Sequence, residues 1–175
     1  MISGSKVILR KKTLADAHND YRWQMDPELA WLDASPVVTM SFEDYLAAYT
    51  SELRYSSPTR RSFAVDTMDG KHIGNCVYYN IDEKKGQAEL GIMIGNRDYW
   101  DKGYGTDIIN TLIDHIFNQT NLKRLYLKTL DSNIRAQKCF QKCRLAMYGH
   151  TVRDGFSFLL MDIHRKDWQE QQNKT

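Results

Sequence analysis

Two glycines in one short polar segment have the type and spacing that best suit chemistry. The segment Lys102-Gly103-Tyr104-Gly105-Thr106 lies between a predicted strand and a strongly amphipathic predicted helix. At a helix N-terminus, unpaired backbone N–H groups and the helix dipole favour anions, and glycine lets the backbone approach a phosphate closely. The segment lacks the Lys-Ser/Thr pair of a nucleotide P-loop and the third glycine of a dinucleotide fingerprint. The sequence therefore predicts an anion-binding turn of another kind.

The helix after this turn has the clearest periodicity in the chain. From Gly105 to Phe117, apolar residues recur at spacings of one, three and four, which predicts a helix with one buried face. Before the turn, alternating residues predict three antiparallel strands, namely Ser62–Asp66, His72–Ile81 and Gln87–Ile94. After the helix, the pattern predicts a strand, a second helix and a final hairpin, namely Leu125–Thr129, Asn133–Lys142, and Leu145–Val152 with Phe156–His164.

The remaining chain indicates one domain over residues 1–175. Val7-Ile8-Leu9 predicts a first strand, and Thr13, Asp26 and Ser41 each precede a predicted helical segment. From about residue 165 the sequence becomes polar, which predicts a tail that frays. We find no internal repeat, low-complexity tract or linker. The order of elements predicts an α+β fold with a single mixed, mostly antiparallel central sheet and helices on both faces.

Composition excludes several classes of protein. The apolar fraction of 42% and charged fraction of 26% are typical of a folded globular chain, and no apolar run is long enough to span a membrane. The odd number of cysteines suits a reducing compartment, so we expect a cytoplasmic protein. The net charge of +2 argues against nucleic-acid binding, although a small basic set keeps that alternative in view: Arg54, Arg60, Arg61, Lys123 and Arg124.

Two sequence blocks resemble the GNAT superfamily of acyl-CoA N-acyltransferases. The first is Trp100-Asp101-Lys102-Gly103-Tyr104-Gly105, which is similar to the family's Gln/Arg-x-x-Gly-x-Gly/Ala motif except that Trp100 replaces Gln/Arg. The second runs from Asn133 to Cys143 and is similar to the family's Asn-x-x-Ala-x-x-x-Tyr segment. The Tyr-Trp pair before the turn looks like the branch of ribosomal-protein N-terminal acetyltransferases.

The resemblance implies a sheet that is split at an acetyl-CoA site, between the end of the third meander strand and Leu125–Thr129. Backbone groups of Met93, Ile94 and Gly95 would then bind the pantetheine amides, and Asn133 the pantetheine arm. The pyrophosphate would bind the amides of the glycine turn, which are those of Asp101, Lys102, Gly103, Tyr104, Gly105 and Thr106. No metal is implied. For Asn133, a helix N-cap with or without a ligand role is an equally good interpretation.

The implied reaction is transfer of an acetyl group from acetyl-CoA to a primary amine by direct attack in a ternary complex. A backbone amide near Met93 would polarise the thioester carbonyl. Glu89 is the candidate general base, because it precedes Trp100 by the same offset as the catalytic glutamate of the histone-acetylating branch. The alternative is a strand glutamate paired with a basic neighbour.

Three questions stay open at the level of sequence. Phe140 stands where many relatives carry a tyrosine that protonates the leaving thiolate, so Tyr148, water or unassisted departure remain as alternatives. The acceptor could be a protein N-terminus or a small-molecule amine, and the chain could form a homodimer. A non-catalytic acyl-CoA-binding module is the rival function. Cys139 and Cys143 are interpreted as packing residues.

Overall fold

The computed structural model describes residues 1–173. One sheet of eight strands runs through the molecule in the order β1-β2-β3-β4-β5-β6-β8-β7. The strands are β1 (Ile2–Ser3), β2 (Val7–Lys11), β3 (Arg60–Thr67), β4 (His72–Asp82), β5 (Gln87–Ile94), β6 (Arg124–Leu130), β7 (Ala146–Arg153) and β8 (Phe156–His164).

Within residues 1–173, six α-helices accompany the sheet. They are α1 (Ala17–Met25), α2 (Pro27–Leu32), α3 (Phe42–Arg54), α4 (Tyr104–Gln119), α5 (Ile134–Lys142) and α6 (Arg165–Gln172). Short 3-10 turns lie at Leu14–Asp16 and Arg97–Tyr99. Side chains fix several helix starts: Asp26, Ser41 and Asn133 accept hydrogen bonds from amides of the first turn of α2, α3 and α5.

The pair β5 and β6 is the only parallel pair among the described strands, and it soon separates. These two strands pair from Gln87 to Glu89 on one side and from Arg124 to Tyr126 on the other. Beyond those residues β5 continues to Ile94 and β6 to Leu130 without pairing to each other. The sheet therefore opens into a V, and α4 connects its two arms.

The two faces of the sheet are covered by different helices. On one face, buried residues of α4 such as Ile109 and Leu112 pack in one cluster with Leu90 of β5 and Leu127 of β6. A smaller cluster joins α1 to α3 through Ala17, Tyr45 and Tyr49. The α1 residue Asp20 also accepts a hydrogen bond from Asn75 of β4, on the opposite face from the buried Cys76.

Most of the predicted elements are confirmed, and their ends move by at most two residues. The α+β class with a mixed, mostly antiparallel sheet and helices on both faces is confirmed. The prediction of a frayed tail is wrong, because residues 165–172 form α6. Arg165 donates to the carbonyls of Phe117, Thr120 and Leu122, and Trp168 is buried. The edge strand β1 was not predicted, since two residues are too short to show alternation.

Candidate active site

A cavity of about 250 Å³ lies where the sheet opens. Its walls come from the end of β5, from the segment before α4 and from α5, with residues of α2 at the mouth. Among the predicted site residues, the lining includes Met93, Ile94, Asp101, Gly103, Gly105, Thr106 and Asn133. Residues up to forty positions apart in the sequence, Met93 and Asn133, are thus brought to one cavity.

The glycine turn presents backbone to this cavity. Gly103 is the N-cap of α4 and has φ 81°, a left-handed conformation that glycine adopts without strain, and Asp101 has φ 56°. Because Gly103 has no side chain, the N-cap residue makes no side-chain hydrogen bond to the first amides of α4. The side chains of Lys102 and Tyr104 turn to other partners, the carbonyl of Asp98 and the ring of Tyr99. These two residues offer only backbone to a ligand.

Gly105 has a different structural role from Gly103. A Cβ atom added there would lie 3.1 Å from Sγ of Cys139 and 3.7 Å from Cδ1 of Ile94. Glycine at this position therefore lets α4 approach α5 closely, and backbone strain is not the reason. The sequence predicted a role for Gly105 but not its close approach to Cys139 on α5.

The acidic residue in the first turn of α4 faces away from the cavity. Asp107 accepts hydrogen bonds from the backbone N–H groups of Ser5, Lys6 and Val7 and from the Ser5 hydroxyl, at 2.6–3.1 Å. Burial acts to raise the pKa of Asp107, but these hydrogen bonds outweigh it and hold the pKa below its ordinary value. Asp107 thus anchors the N-terminal strands and leaves the α4 amides free for an anion.

The end of β5 provides two of the three backbone positions that the sequence predicted. Met93 and Ile94 line the cavity, whereas Gly95 is buried with its backbone against the ring of Trp23. The carbonyl of Ile94 accepts a hydrogen bond of 2.7 Å from Nε1 of Trp100. This carbonyl therefore has a partner within the chain already.

Trp100, which replaces the Gln/Arg of the motif, braces the glycine turn. The guanidinium of Arg135 lies 3.4 Å from the centre of the Trp100 ring, and that of Arg97 lies 5.3 Å from it. Arg135 belongs to α5, so the indole links β5, the turn and α5. Although Trp100 departs from the motif, the residue at this position still has a structural role.

Asn133 caps α5 and also lies at the cavity. Its Oδ1 accepts a hydrogen bond of 3.2 Å from the N–H of Ala136, which is the geometry of a helix N-cap. The same residue lines the cavity. The cap is confirmed, and the ligand role stays a prediction.

The hydroxyl needed for a general acid is missing from the predicted position. Phe140 is buried and lines the cavity, but its ring has no proton to donate. Tyr148 lies on β7, where the Arg124 guanidinium stands 4.8 Å from its ring, next to Asp162. Tyr148 therefore lies at the far edge of the sheet, on β7.

Glu89 lies at the apex of the V. It is the last β5 residue that pairs with β6, and its carboxylate accepts from Lys128 Nζ at 2.6 Å and from Asn80 Nδ2 at 3.0 Å. Its side chain is 8% exposed and that of Lys128 is 29% exposed. Burial and the nearby Glu89 charge raise the pKa of Tyr79. The predicted alternative, an ion pair with a basic neighbour, is present, and alternation along β5 places the carboxylate on the Met93 side.

A second carboxylate, Asp33, was missed by the sequence analysis. It follows α2 and lines the cavity from the mouth. Although water reaches it, the surrounding protein raises the pKa of its carboxyl, and Ser35, Lys128 and Arg60 act in the opposite direction. Trp31, two residues before Asp33, has its ring centre 5.1 Å from that of Phe156 at the start of β8. No local pattern marks Asp33, because only the folded chain brings it to the cavity.

Two searches of the described residues were negative. Within residues 1–173, no helix is long and apolar enough to cross a membrane. In the same part of the chain, no three His, Cys, Asp or Glu side chains are grouped so that they could hold a metal ion.

Comparison with known proteins gives the family. The sequence pattern described as the acetyltransferase (GNAT) domain matches residues 6–146, well over half of the chain. The chain belongs to the GNAT acetyltransferase family. The predicted superfamily and the predicted class, an acetyl-CoA-dependent N-acetyltransferase, are confirmed at this level. The likeness to the ribosomal-protein branch stays a prediction.

Individual GNAT proteins resemble this chain over most of its length. An uncharacterized N-acetyltransferase p20 of Bacillus licheniformis is 28% identical over 129 residues, which are 73% of this chain and 72% of that protein. The spermidine N-acetyltransferase of Vibrio cholerae in complex with CoA and spermine has a TM-score of 0.84 at 20% identity, covering 94% of this chain and 99% of that one. An aminoglycoside acetyltransferase in complex with coenzyme A has a TM-score of 0.78 at 20% identity, covering 95% and 99%. These structures share the GNAT fold with this chain.

Proposed function

We propose that this GNAT chain transfers an acetyl group from acetyl-CoA to a primary amine of a small molecule with several positive charges. The observation that carries the proposal is a pair of carboxylates: Asp33, which lines the cavity, and Glu89, which is outside the lining but is the last β5 residue paired with β6 before the sheet opens. Carboxylates in a partly desolvated cleft favour cations over neutral ligands. The polyamine and aminoglycoside acceptors named for the structural neighbours belong to this chemical class.

The co-substrate would use the other half of the cleft. The amides of Asp101 to Thr106, with the α4 dipole, suit the pyrophosphate. Met93 and Ile94 offer backbone groups to the pantetheine amides, and Asn133 offers its side chain. Of the Ile94 backbone groups, the N–H is the better candidate because the carbonyl already accepts from Trp100. Gly95 is the weakest of the predicted contacts, since Trp23 covers it.

The proposed chemistry is attack of a neutral amine on the thioester carbonyl. Glu89 would take the ammonium proton directly or through water, after a cationic acceptor replaces Lys128 as the partner of its carboxylate. A backbone N–H near Met93 would stabilise the developing oxyanion. Phe140 has no proton to donate, and the thiolate can leave without one, because the conjugate base of a thiol, with a pKa of about 8.5 for cysteine, is a stable leaving group near neutral pH.

The test is a thiol-release assay with acetyl-CoA and a panel of amines. The panel contains spermidine, spermine, an aminoglycoside and a short peptide with a free N-terminus. We expect kcat/KM for the best polycation to exceed that for the peptide by at least about tenfold, which corresponds to roughly 1.4 kcal/mol. Preference for the peptide would contradict the acceptor class. The protein could bind acetyl-CoA and yet release no thiol with any amine of the panel. That result would support the rival function, a non-catalytic acyl-CoA-binding module, which the missing hydroxyl at Phe140 suggests.

A further inference from the structure

Two guanidinium groups lie near the indole ring of Trp100. The central carbon of the Arg135 guanidinium is 3.4 Å from the ring centre, and that of Arg97 is 5.3 Å from it. Arg97 donates its N–H groups to the carboxylates of Asp26 and Glu28 at 2.5–3.0 Å. In the part of the chain that the structure describes, no carboxylate pairs with Arg135. The charge of Arg97 is therefore compensated by neighbours, whereas that of Arg135 is not.

The contact with Trp100 leaves the edge of the Arg135 guanidinium free. At 3.4 Å from the ring centre the group must lie nearly parallel to the ring, because a steep tilt would push its nitrogen atoms into the indole. The five N–H groups lie in the guanidinium plane and so point away from the ring contact. Such a planar fork matches the oxygens of a phosphate. Arg135 also lines the cavity, together with Gly103 and Gly105 of the glycine turn.

The charge pattern of α5 favours an anion in the cavity. The helix contains no Asp or Glu, and its cations Arg135, Lys138 and Lys142 follow spacings of three and four, so they share the face that lines the cavity. Arg135 is the second residue of α5, where a cation opposes the helix dipole. Helix stability therefore does not explain an arginine there. The carboxylates that line the same cavity, Asp33 and Asp101, come from other segments.

We propose that Arg135 binds the pyrophosphate of acetyl-CoA, with Trp100 as the residue that positions its guanidinium. The glycine turn and Arg135 line one cavity, so a single anionic group can contact the amides of the turn and the free edge of the guanidinium. Trp100 stands where the motif has Gln or Arg, and Arg135 supplies hydrogen-bond donors beside that position from α5. The inference rests on the proposed function, which places the pyrophosphate at the glycine turn.

The test is calorimetric titration of the full chain with CoA and with dephospho-CoA, which keeps the pyrophosphate but lacks the 3′-phosphate. Arg135→Met removes the charge and the donors, so we expect the dissociation constants of both ligands to rise about tenfold or more. Arg97→Met is the matched control. It removes a guanidinium near the same ring, but one that is already bound to Asp26 and Glu28, so both constants should change less than about twofold.

Three results of these titrations would overturn the proposal. One is an unchanged dissociation constant for CoA in Arg135→Met. Another is an equal loss of affinity in Arg97→Met, which would mean that any cation near the ring has the same effect. The third is a loss confined to CoA, which would assign Arg135 to the 3′-phosphate instead of the pyrophosphate.

A further variant separates a ligand contact from a structural role. Arg135→Lys keeps the charge but not the planar fork, so it should restore part of the affinity that Arg135→Met loses. CoA binding by Arg135→Met should also depend less steeply on salt concentration than binding by the parent, because one charge–charge contact is gone. If Arg135→Lys restores nothing and the salt dependence is unchanged, Arg135 only braces the turn and the proposal is wrong.

The titration of the parent distinguishes failure of this inference from failure of the proposed function. If the parent binds CoA and Arg135→Met binds it equally well, only the role of Arg135 is wrong, and the proposed function stands. If the parent does not bind CoA, the proposed cofactor site fails, and the role of Arg135 fails with it.

Discussion

The short side chain of Asn133 caps a helix, and the residue also lies at the cavity. It caps α5 by accepting from the Ala136 N–H, and it lines the cavity. Ser41 caps α3 in the same way, with a hydrogen bond of 3.2 Å from the N–H of Asp44, far from the cavity. The two residues therefore separate the effect of losing a cap from the effect of losing a ligand contact.

We predict that Asn133→Ala weakens acetyl-CoA binding and lowers the free energy of unfolding by about 1 kcal/mol. Ser41→Ala should give a similar loss of stability with no change in the dissociation constant. Calorimetric titration and urea unfolding measure the two quantities. Equal dissociation constants for parent and Asn133→Ala would leave this residue as a cap alone.

Two variants distinguish a catalytic role of the Glu89 carboxylate from a structural role of its ion pair with Lys128. Glu89→Gln should lower kcat by on the order of a hundredfold and remove the acidic limb of the pH–rate profile, with acetyl-CoA affinity nearly unchanged. Lys128→Met breaks the same ion pair but keeps the carboxylate, so it should retain most of kcat and that limb. A purely structural pair predicts instead that both variants lose stability and that neither changes the pH–rate profile.

At the scale of elements, the approach of α4 to α5 sets the shape of the cavity beside the glycine turn. Gly105 permits this approach, and Asp107 fixes the start of α4 to the N-terminal strands. The other end of α4 is held by Arg165, whose guanidinium donates to three carbonyls at 2.6–2.7 Å. Both ends of the helix are thus anchored by residues distant in sequence.

We expect acetyl-CoA to raise the melting temperature of the parent and Gly105→Val to abolish this rise. A valine side chain would meet Cys139 and force α4 away from α5. Gly149→Val is the matched control, because a Cβ there meets only Leu160 at an ordinary 3.7 Å and β-branched residues suit a strand. Thermal shift measured with and without acetyl-CoA decides between them. Normal binding by a folded Gly105→Val protein would mean that the site is elsewhere.

Arg165→Ala should lower the free energy of unfolding by roughly 1.5–3 kcal/mol, since three carbonyls near the end of α4 lose a charged donor. Lys166→Ala changes an exposed neighbour on the same helix and should have little effect. Urea unfolding compares the two variants with the parent. Equal stability of both variants would mean that the hydrogen bonds of Arg165 contribute nothing to the stability of the fold.

For the whole molecule, buried acids govern the response to low pH. Asp16 is 3% exposed. Burial alone would raise its pKa, but hydrogen bonds from Arg10 and Thr13 and the charge of His72 hold the pKa below the ordinary value. The Asp107 pKa is lowered as well. Such groups stabilise the fold above their unfolded pKa, and this stabilisation is lost as pH falls through their folded pKa.

We therefore predict that the free energy of unfolding falls steeply below pH about 4, the ordinary pKa of aspartate. Asp33, whose pKa is raised, contributes with the opposite sign and only partly offsets this fall. Asp16→Asn should be less stable at pH 7 and should show a shallower dependence on pH. Urea unfolding between pH 3 and 7 measures both. An unchanged slope in Asp16→Asn would remove Asp16 from the explanation.

The sequence by itself determined the order of the elements, the approximate ends of most of them, and the glycine turn before α4. Each of these depends on local physics: apolar periodicity, capping side chains, and the conformations that glycine permits. The two sequence blocks around Gly103 and Asn133 were sufficient to indicate the GNAT family.

Only the tertiary structure decided which distant side chains share a site. Lys128 pairs with Glu89 across 39 positions, and Asp33 reaches the cavity because α2 lies at its mouth. Arg165 and Trp168 make a polar tail into a helix by contacts with α4, which no periodicity within residues 165–172 reveals. Such contacts depend on how elements pack, and packing is a property of pairs of segments rather than of either segment's sequence.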